Sequence, residues 1–197
     1  MNYQIPTLPF DMELESKAVL KKVALARSAL AEMKGAALSI PNQNILISTL
    51  SLQEAKDSSA IENIVTTHDE LYQADYLKNQ FKTIASKEVH KYAEALRWGF
   101  HTVKKMGFLS NNHIIDMQAA IEENRAGFRK VPGTELKNEQ TGEVVYTPPQ
   151  THEEVLTHMA NLESFMNNNE LCDWDPLVKM AVIHHQFESI HPFYDGN

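Results

Sequence analysis

Apolar residues recur at intervals of three and four along most of this chain, and that period predicts helices. Leu14, Ala18, Leu25, Ala29 and Met33 place one helix over about residues 13–38, behind an extended lead-in that carries Pro6 and Pro9. Gly35 loosens its end and Pro41 marks a break. Residues 42–64 read as two short helices, and the second, 52–64, carries Glu54, Ser58 and Glu62 on one side at four-residue spacing. The helical period is weak over 68–80. It is strong over 87–106, where Val89, Ala93, Leu96, Phe100 and Val103 form a stripe and Gly107 supplies a left-handed stop. Ser110 caps a further helix that runs to Glu123.

The pattern changes over 128–149. Pro132, Gly133, Gly142, Pro148 and Pro149 punctuate it, Val144-Val145 is a β-branched pair, and Asn138 to Gly142 read as the turn of a hairpin. Thr151 with Glu154 three residues on is a capping box for the next helix, which the Asn167-Asn168-Asn169 run ends. Asp175 followed by Pro176 starts another, with Leu177, Met180, Ala181, His184, Phe187 and Ile190 expected on its buried face. The chain therefore reads as mainly α, with one hairpin between helices.

Composition narrows the partners. A formal charge of −8 argues against a nucleic-acid partner, which usually needs a basic face, but leaves room for a small phosphate ligand. The single cysteine, Cys172, forms no internal disulfide, no apolar run approaches a membrane span, and the acidic first residues lack a signal pattern. A cytoplasmic protein with no membrane partner is the expectation.

The chemistry gathers in residues 191–197, His-Pro-Phe-Tyr-Asp-Gly-Asn. Pro192 stops the preceding helix, so the His191 ring sits at a backbone turn, with an ordinary pKa suited to a general base. Asp195 offers a hard oxygen of the kind Mg²⁺ takes when it also binds polyphosphate. Gly196 lets the backbone approach a phosphate, and Asn197 adds side-chain donors. Taken singly, such residues are ordinary turn and surface residues. His184 and His185 point about 100° apart on a helix, so a zinc site with His191 and Asp195 is a poor reading.

Together the seven residues resemble the Fic family signature, His-Pro-Phe-x-Asp-Gly-Asn. Six fixed residues in that order arise at a given start on the order of once in 10⁷–10⁸ by chance. Phe128-Arg129 through Tyr146-Thr147-Pro148-Pro149 is similar to the family's hairpin flap, and the helix from Pro176 resembles the one that leads into its loop. The resemblance implies a Fic-type helical bundle with one β-hairpin flap and an N-terminal helical extension, divided as residues 1–64 and an incomplete Fic domain over 65–197. It implies a protein adenylyltransferase that moves AMP from ATP to a Ser, Thr or Tyr hydroxyl. His191 would be the base, Asp195 would hold Mg²⁺ or Mn²⁺, and Gly196 and Asn197 would join the phosphate cradle. The protein substrate would pair with the flap at 128–149. A homodimer stays open.

Ser58 to Asn63 also resembles the family's inhibitory pattern, Ser/Thr-x-x-x-Glu-Gly/Asn, which would give Glu62 a place at the nucleotide's phosphates. Ser59 with Glu62 is equally an ordinary capping box. The family signature continues beyond Asn197 with Gly-Arg-x-Gly-Arg, whose arginines clamp phosphate and would pair with Glu62. The chain stops before it, which predicts a fragment with little or no transferase activity by itself. Alternatives within this reading are removal of AMP, transfer of another phosphate-containing group, or an inactive nucleotide-binding or interaction domain.

Overall fold

The computed structural model describes residues 4–61, 63–71, 81, 83–138 and 140–197. The elements run α1 (Lys17–Ala37), α2 (Gln43–Ile61), α3 (Ile84–Met106), α4 (Asn111–Glu122), β1 (Leu136–Lys137), β2 (Val144–Tyr146), α5 (His152–Asn167) and α6 (Pro176–Ile190). The expected mainly α fold with one hairpin is what forms. Among the described residues no helix is long and apolar enough to cross a membrane.

Residues 42–64 give one helix, not two, because neither proline nor glycine interrupts 43–61. Its end is a Schellman stop. Asn63 takes a left-handed conformation (φ 61°), its N–H bonds Ala60 O at 3.2 Å, and Ile64 N–H reaches back to Ser59 O at 2.9 Å. The last position of the Ser58–Asn63 pattern is thus a helix-stop position, where Asn or Gly costs least. Glu62 itself lies outside the described residues, as do 72–80 of the weak 68–80 segment. Helix α3 starts at Ile84, ahead of the expected 87, because Thr83 and Ser86 cap each other reciprocally. Gly107 ends it in the left-handed region (φ 78°), as the sequence implied.

The described chain divides into two compact units. One consists of Lys34–Phe108 and Asp116–Arg125. Leu52, Ala55, Leu71, Val89 and Ala93 form its core, and the buried His90 donates from Nε2 to Leu71 O at 3.0 Å. On α3, Leu96 and Phe100 of the expected stripe are exposed, while Ser86, His90, Ala95 and Gly99 are buried. Polar and very small residues on the packed face disguised its phase.

The other unit joins the chain up to Met33 with Leu109–Ile115 and Ala126–Asn197. Helix α5 is its platform: Val155, Met159, Leu162 and Phe165 are fully buried, against Leu8, Phe128, Val182, Ile190 and Phe193. Each such side chain contributes roughly 1.5–3 kcal/mol. The lead-in is stitched on by the Asn161 amide, which accepts Leu8 N–H and donates to Leu8 O, both at 2.9 Å. Gln186 Nε2 donates to Pro6 O at 2.8 Å.

Helix α6 carries the loop of interest, and its buried face differs from the expected one. Val178, Lys179, Val182, Gln186, Ser189 and Ile190 are buried, whereas Met180, Ala181 and His184 are exposed. The three polar residues at packed positions moved the apparent stripe round the helix by about one position. Its start is held twice. Asp175 caps Leu177 N–H at 2.9 Å and pairs with Arg27 of α1 at 2.6 Å, while Asp175 N–H donates to Glu15 at 2.6 Å. The Leu177 N–H, and then Arg27, hold the Asp175 carboxyl below its ordinary pKa.

The hairpin pairs Leu136 with Tyr146 and Lys137 with Val144, with an irregularity between Leu136 and Lys137. Asn138 organises the turn: its Oδ1 accepts Gln140 and Thr141 N–H groups, and its carbonyl accepts Gly142 N–H. Gln150 closes the base, accepting Gly133 N–H and donating to Thr134 O and Pro148 O. Thr151 and Glu154 form the expected capping box at the start of α5. Removing it with Thr151→Ala should cost about 1 kcal/mol, read as a lower urea midpoint with an unchanged slope.

Candidate active site at the end of α6

An α-helix leaves its last carbonyls without internal partners. At the end of α6 two of these, Ile190 O and His191 O, are met by one guanidinium. Arg129 Nε donates to His191 O at 2.8 Å and an Arg129 terminal NH₂ donates to Ile190 O at 3.2 Å. Arg129 is 1% exposed. Its charge is met by the negative end of the helix, with Glu154 acting on it at longer range. Its own backbone is tied in as well: Arg129 N–H donates to Pro192 O at 2.8 Å, and His152 Nδ1 donates to Arg129 O at 2.8 Å. The segment before the hairpin therefore lies along the loop and braces it.

The braced turn begins at His191, which takes a left-handed conformation (φ 47°, ψ 63°) while its N–H still bonds Phe187 O. A non-glycine residue held there stores strain of order 1–3 kcal/mol and tends to mark a functional position. Phe193 is 1% exposed and packs on Phe128 (5.2 Å between ring centres) and Phe187 (6.5 Å). It anchors the loop in the core beside the buried Pro192, and Tyr194 and Asp195 after it are exposed.

Asn197 closes the loop. Its Oδ1 accepts Phe193 N–H at 2.7 Å and its Nδ2 donates to Phe193 O at 3.2 Å. This pairing fixes which end of the amide is which, and the same Nδ2 lies 3.1 Å from His191 Nε2. An amide N–H facing Nε2 requires a lone pair there, so the ring proton sits on Nδ1. Nδ1 is buried and has no hydrogen-bond partner. Nothing on that side favours the imidazolium. Burial, and then the positive charge of Arg129, hold the His191 pKa below the ordinary 6.5, while Asp195 opposes them. The ring is neutral at pH 7, with its basic nitrogen toward the loop interior.

Asp195 stands exposed on the outer side of the loop, where its Oδ1 accepts Gly196 N–H at 3.0 Å. Gly196 has φ 68°, a conformation that glycine adopts freely. Among the described residues no group of three or more His, Cys, Asp or Glu could hold a metal ion. A cation at Asp195 would have to take most of its oxygens from a bound polyphosphate and water, which is how Mg²⁺ commonly binds.

Of the residues expected from sequence, the structure brings together His191, Asp195, Gly196 and Asn197, and Glu62 lies outside the described residues. The Asn197 amide contacts Phe193 and His191. Arg129 and Tyr194 received no role from sequence. The signal for Arg129 was a helix ending on two carbonyls that needed a donor, but many residues could have supplied one. Tyr194 gave none, since its hydroxyl meets backbone groups 63 and 64 residues away.

A helical protein in which a hairpin-flanked segment braces a His–Asp–Gly–Asn turn is the class this architecture defines. The sequence profile of the Fic/DOC family N-terminal region matches residues 20–101, and that of the Fic/DOC family matches residues 108–197. The chain belongs to the Fic/DOC family. The crystal structure of a Fic family protein from Desulfovibrio desulfuricans G20 shares the fold, with a TM-score of 0.69 at 19% identity over 98% of this chain. The match covers 56% of that protein, so this chain spans little more than half its length.

The site yields two predictions. Arg129→Met strands two buried carbonyls and should destabilise the unit by about 2–5 kcal/mol in chemical denaturation. The second concerns His191. Asp195→Asn removes a charge that raises its pKa, so an NMR titration should place the mutant pKa below the wild-type value. Because the folded pKa is depressed, the unfolded chain binds more protons, and His191's contribution to stability is full above pH 6.5 and lost as pH falls.

Proposed function

We propose that this chain carries the base and part of the nucleotide site of a Fic-type transferase that moves AMP from ATP to a protein hydroxyl. The observation that carries this reading is the neutral His191 ring, whose Nε2 lone pair is held in place by Asn197 at a strained, braced turn. The hydroxyl of a Ser, Thr or Tyr takes the place of the Asn197 N–H at Nε2 and gives up its proton there. Its oxygen attacks the α-phosphorus of ATP, the bond from that phosphorus to the bridging oxygen breaks, and pyrophosphate leaves. Mg²⁺ or Mn²⁺, when bound, neutralises phosphate charge, and Asp195 is its protein ligand. Gly196 brings the loop backbone close to the phosphates, with Asn197 shaping the turn beneath them. The target lies against the hairpin as an added strand, which reads its main chain more than its side chains.

Glu62 is proposed as an inhibitory carboxylate. Asn63, the last position of the Ser58–Asn63 pattern, takes the left-handed conformation that Gly or Asn adopts at least cost. We place the protein in the cytoplasm and leave self-association into a homodimer to measurement. Removal of AMP, or transfer of a different phosphate-containing group, uses the same base and remains the second reading.

The test uses the full-length protein, with Mg²⁺ and ATP labelled at the α-phosphate. His191→Ala should abolish label incorporation, and Glu62→Gly should raise self-modification. Equal incorporation in wild type and both variants would overturn the assignment. A protein mass increase other than that of AMP would favour the second reading.

A further inference from the structure

Both legs of the hairpin are tied to the loop-bearing end of α6 by tyrosine hydroxyls. On the first leg, Lys130 N–H and Val131 N–H both donate to Tyr194 Oη, at 2.7 and 3.0 Å. On the second, Tyr146 donates from its hydroxyl to Ser189 O at 2.7 Å. The two anchors have different sources. Tyr194 belongs to the loop and reaches out to the leg, while Tyr146 belongs to β2 and reaches in to α6. Between Val131 and β1 lie Pro132 and Gly133, the latter at φ 112°, so the chain turns sharply just past the first anchor. Gln150 then ties that turn to the chain leaving β2. The hairpin thus rises from a base fixed at two points relative to His191.

We infer that Tyr194 and Tyr146 are positioning residues that set the offset between the flap and the base, and so decide whether a flap-bound hydroxyl reaches His191. This rests on the function proposed above. Neither phenol needs to touch substrate. Tyr194 is about half exposed (51%), so its ring contributes little to the core, and losing its hydroxyl should leave the unit folded.

Tyr194→Phe keeps the ring and deletes the acceptor. In the natural protein, amide exchange at Lys130 and Val131, followed by NMR, should accelerate by about fivefold or more, as expected for one lost hydrogen bond. The His191 pKa and the affinity for ATP should not move, because the Arg129 and Asn197 contacts remain. With a pooled library of extended peptides, each bearing one Ser, Thr or Tyr, the KM for peptide should rise by about fivefold, more than kcat falls. Tyr146→Phe should act in the same direction. Unchanged exchange at both amides, or an unchanged peptide KM with faster exchange, overturns the inference. If wild type transfers no label to peptide or to itself, the function fails, while the exchange measurement still decides whether the tyrosine anchors the flap.

Discussion

One buried guanidinium, set against the carbonyl end of a helix, is the contact on which the candidate site depends. Arg129 spends its charge on Ile190 O and His191 O, and its own backbone on Pro192 and His152. A helix end carries partial negative charge and unmet acceptors, and a planar multi-donor cation answers both at once. The arrangement lets α6 stop abruptly on a left-handed histidine without leaving its carbonyls stranded in the core. It also makes the segment before the hairpin inseparable from the loop, because the same residue belongs to both.

The brace has an electrostatic side. The cation that stabilises the helix end also disfavours a second positive charge on the neighbouring imidazole, and burial acts in the same direction. With no acceptor at Nδ1 the ring differs from a histidine backed by a carboxylate, which would gain basicity from its partner. The cation and burial both hold the ring toward its neutral form. Asn197 orients the ring through an amide whose own geometry is set by the Phe193 peptide.

Most of the helical frame was legible, because caps and stops are local: Thr151–Glu154, Asp175–Pro176 and Gly107 each sit where the sequence put them. The phases of the buried faces on α3 and α6 were not. There the packed positions hold Ser86, His90, Lys179, Gln186 and Ser189, polar groups met by partners as near as Thr83 and His185 O or as far as Pro6 O, 180 residues from Gln186. The loop residues His191, Asp195, Gly196 and Asn197 could be named as one motif, since they lie within seven positions. What holds them in shape could not. Arg129 and Tyr194 act across 61 to 64 residues, and no local pattern announces such a pairing.

The clasp between Asn161 and Leu8 has a bearing on how the molecule comes into being. Its partners are 153 residues apart, and the unit it closes is assembled from three separate stretches of chain. Closing so large a loop is entropically costly before the contacts that reward it exist. On the ribosome, Leu8 must wait for its Asn161 partner until α5 has emerged. The turn at His191 follows α5 and α6 in the chain, so it emerges later than the platform it packs on.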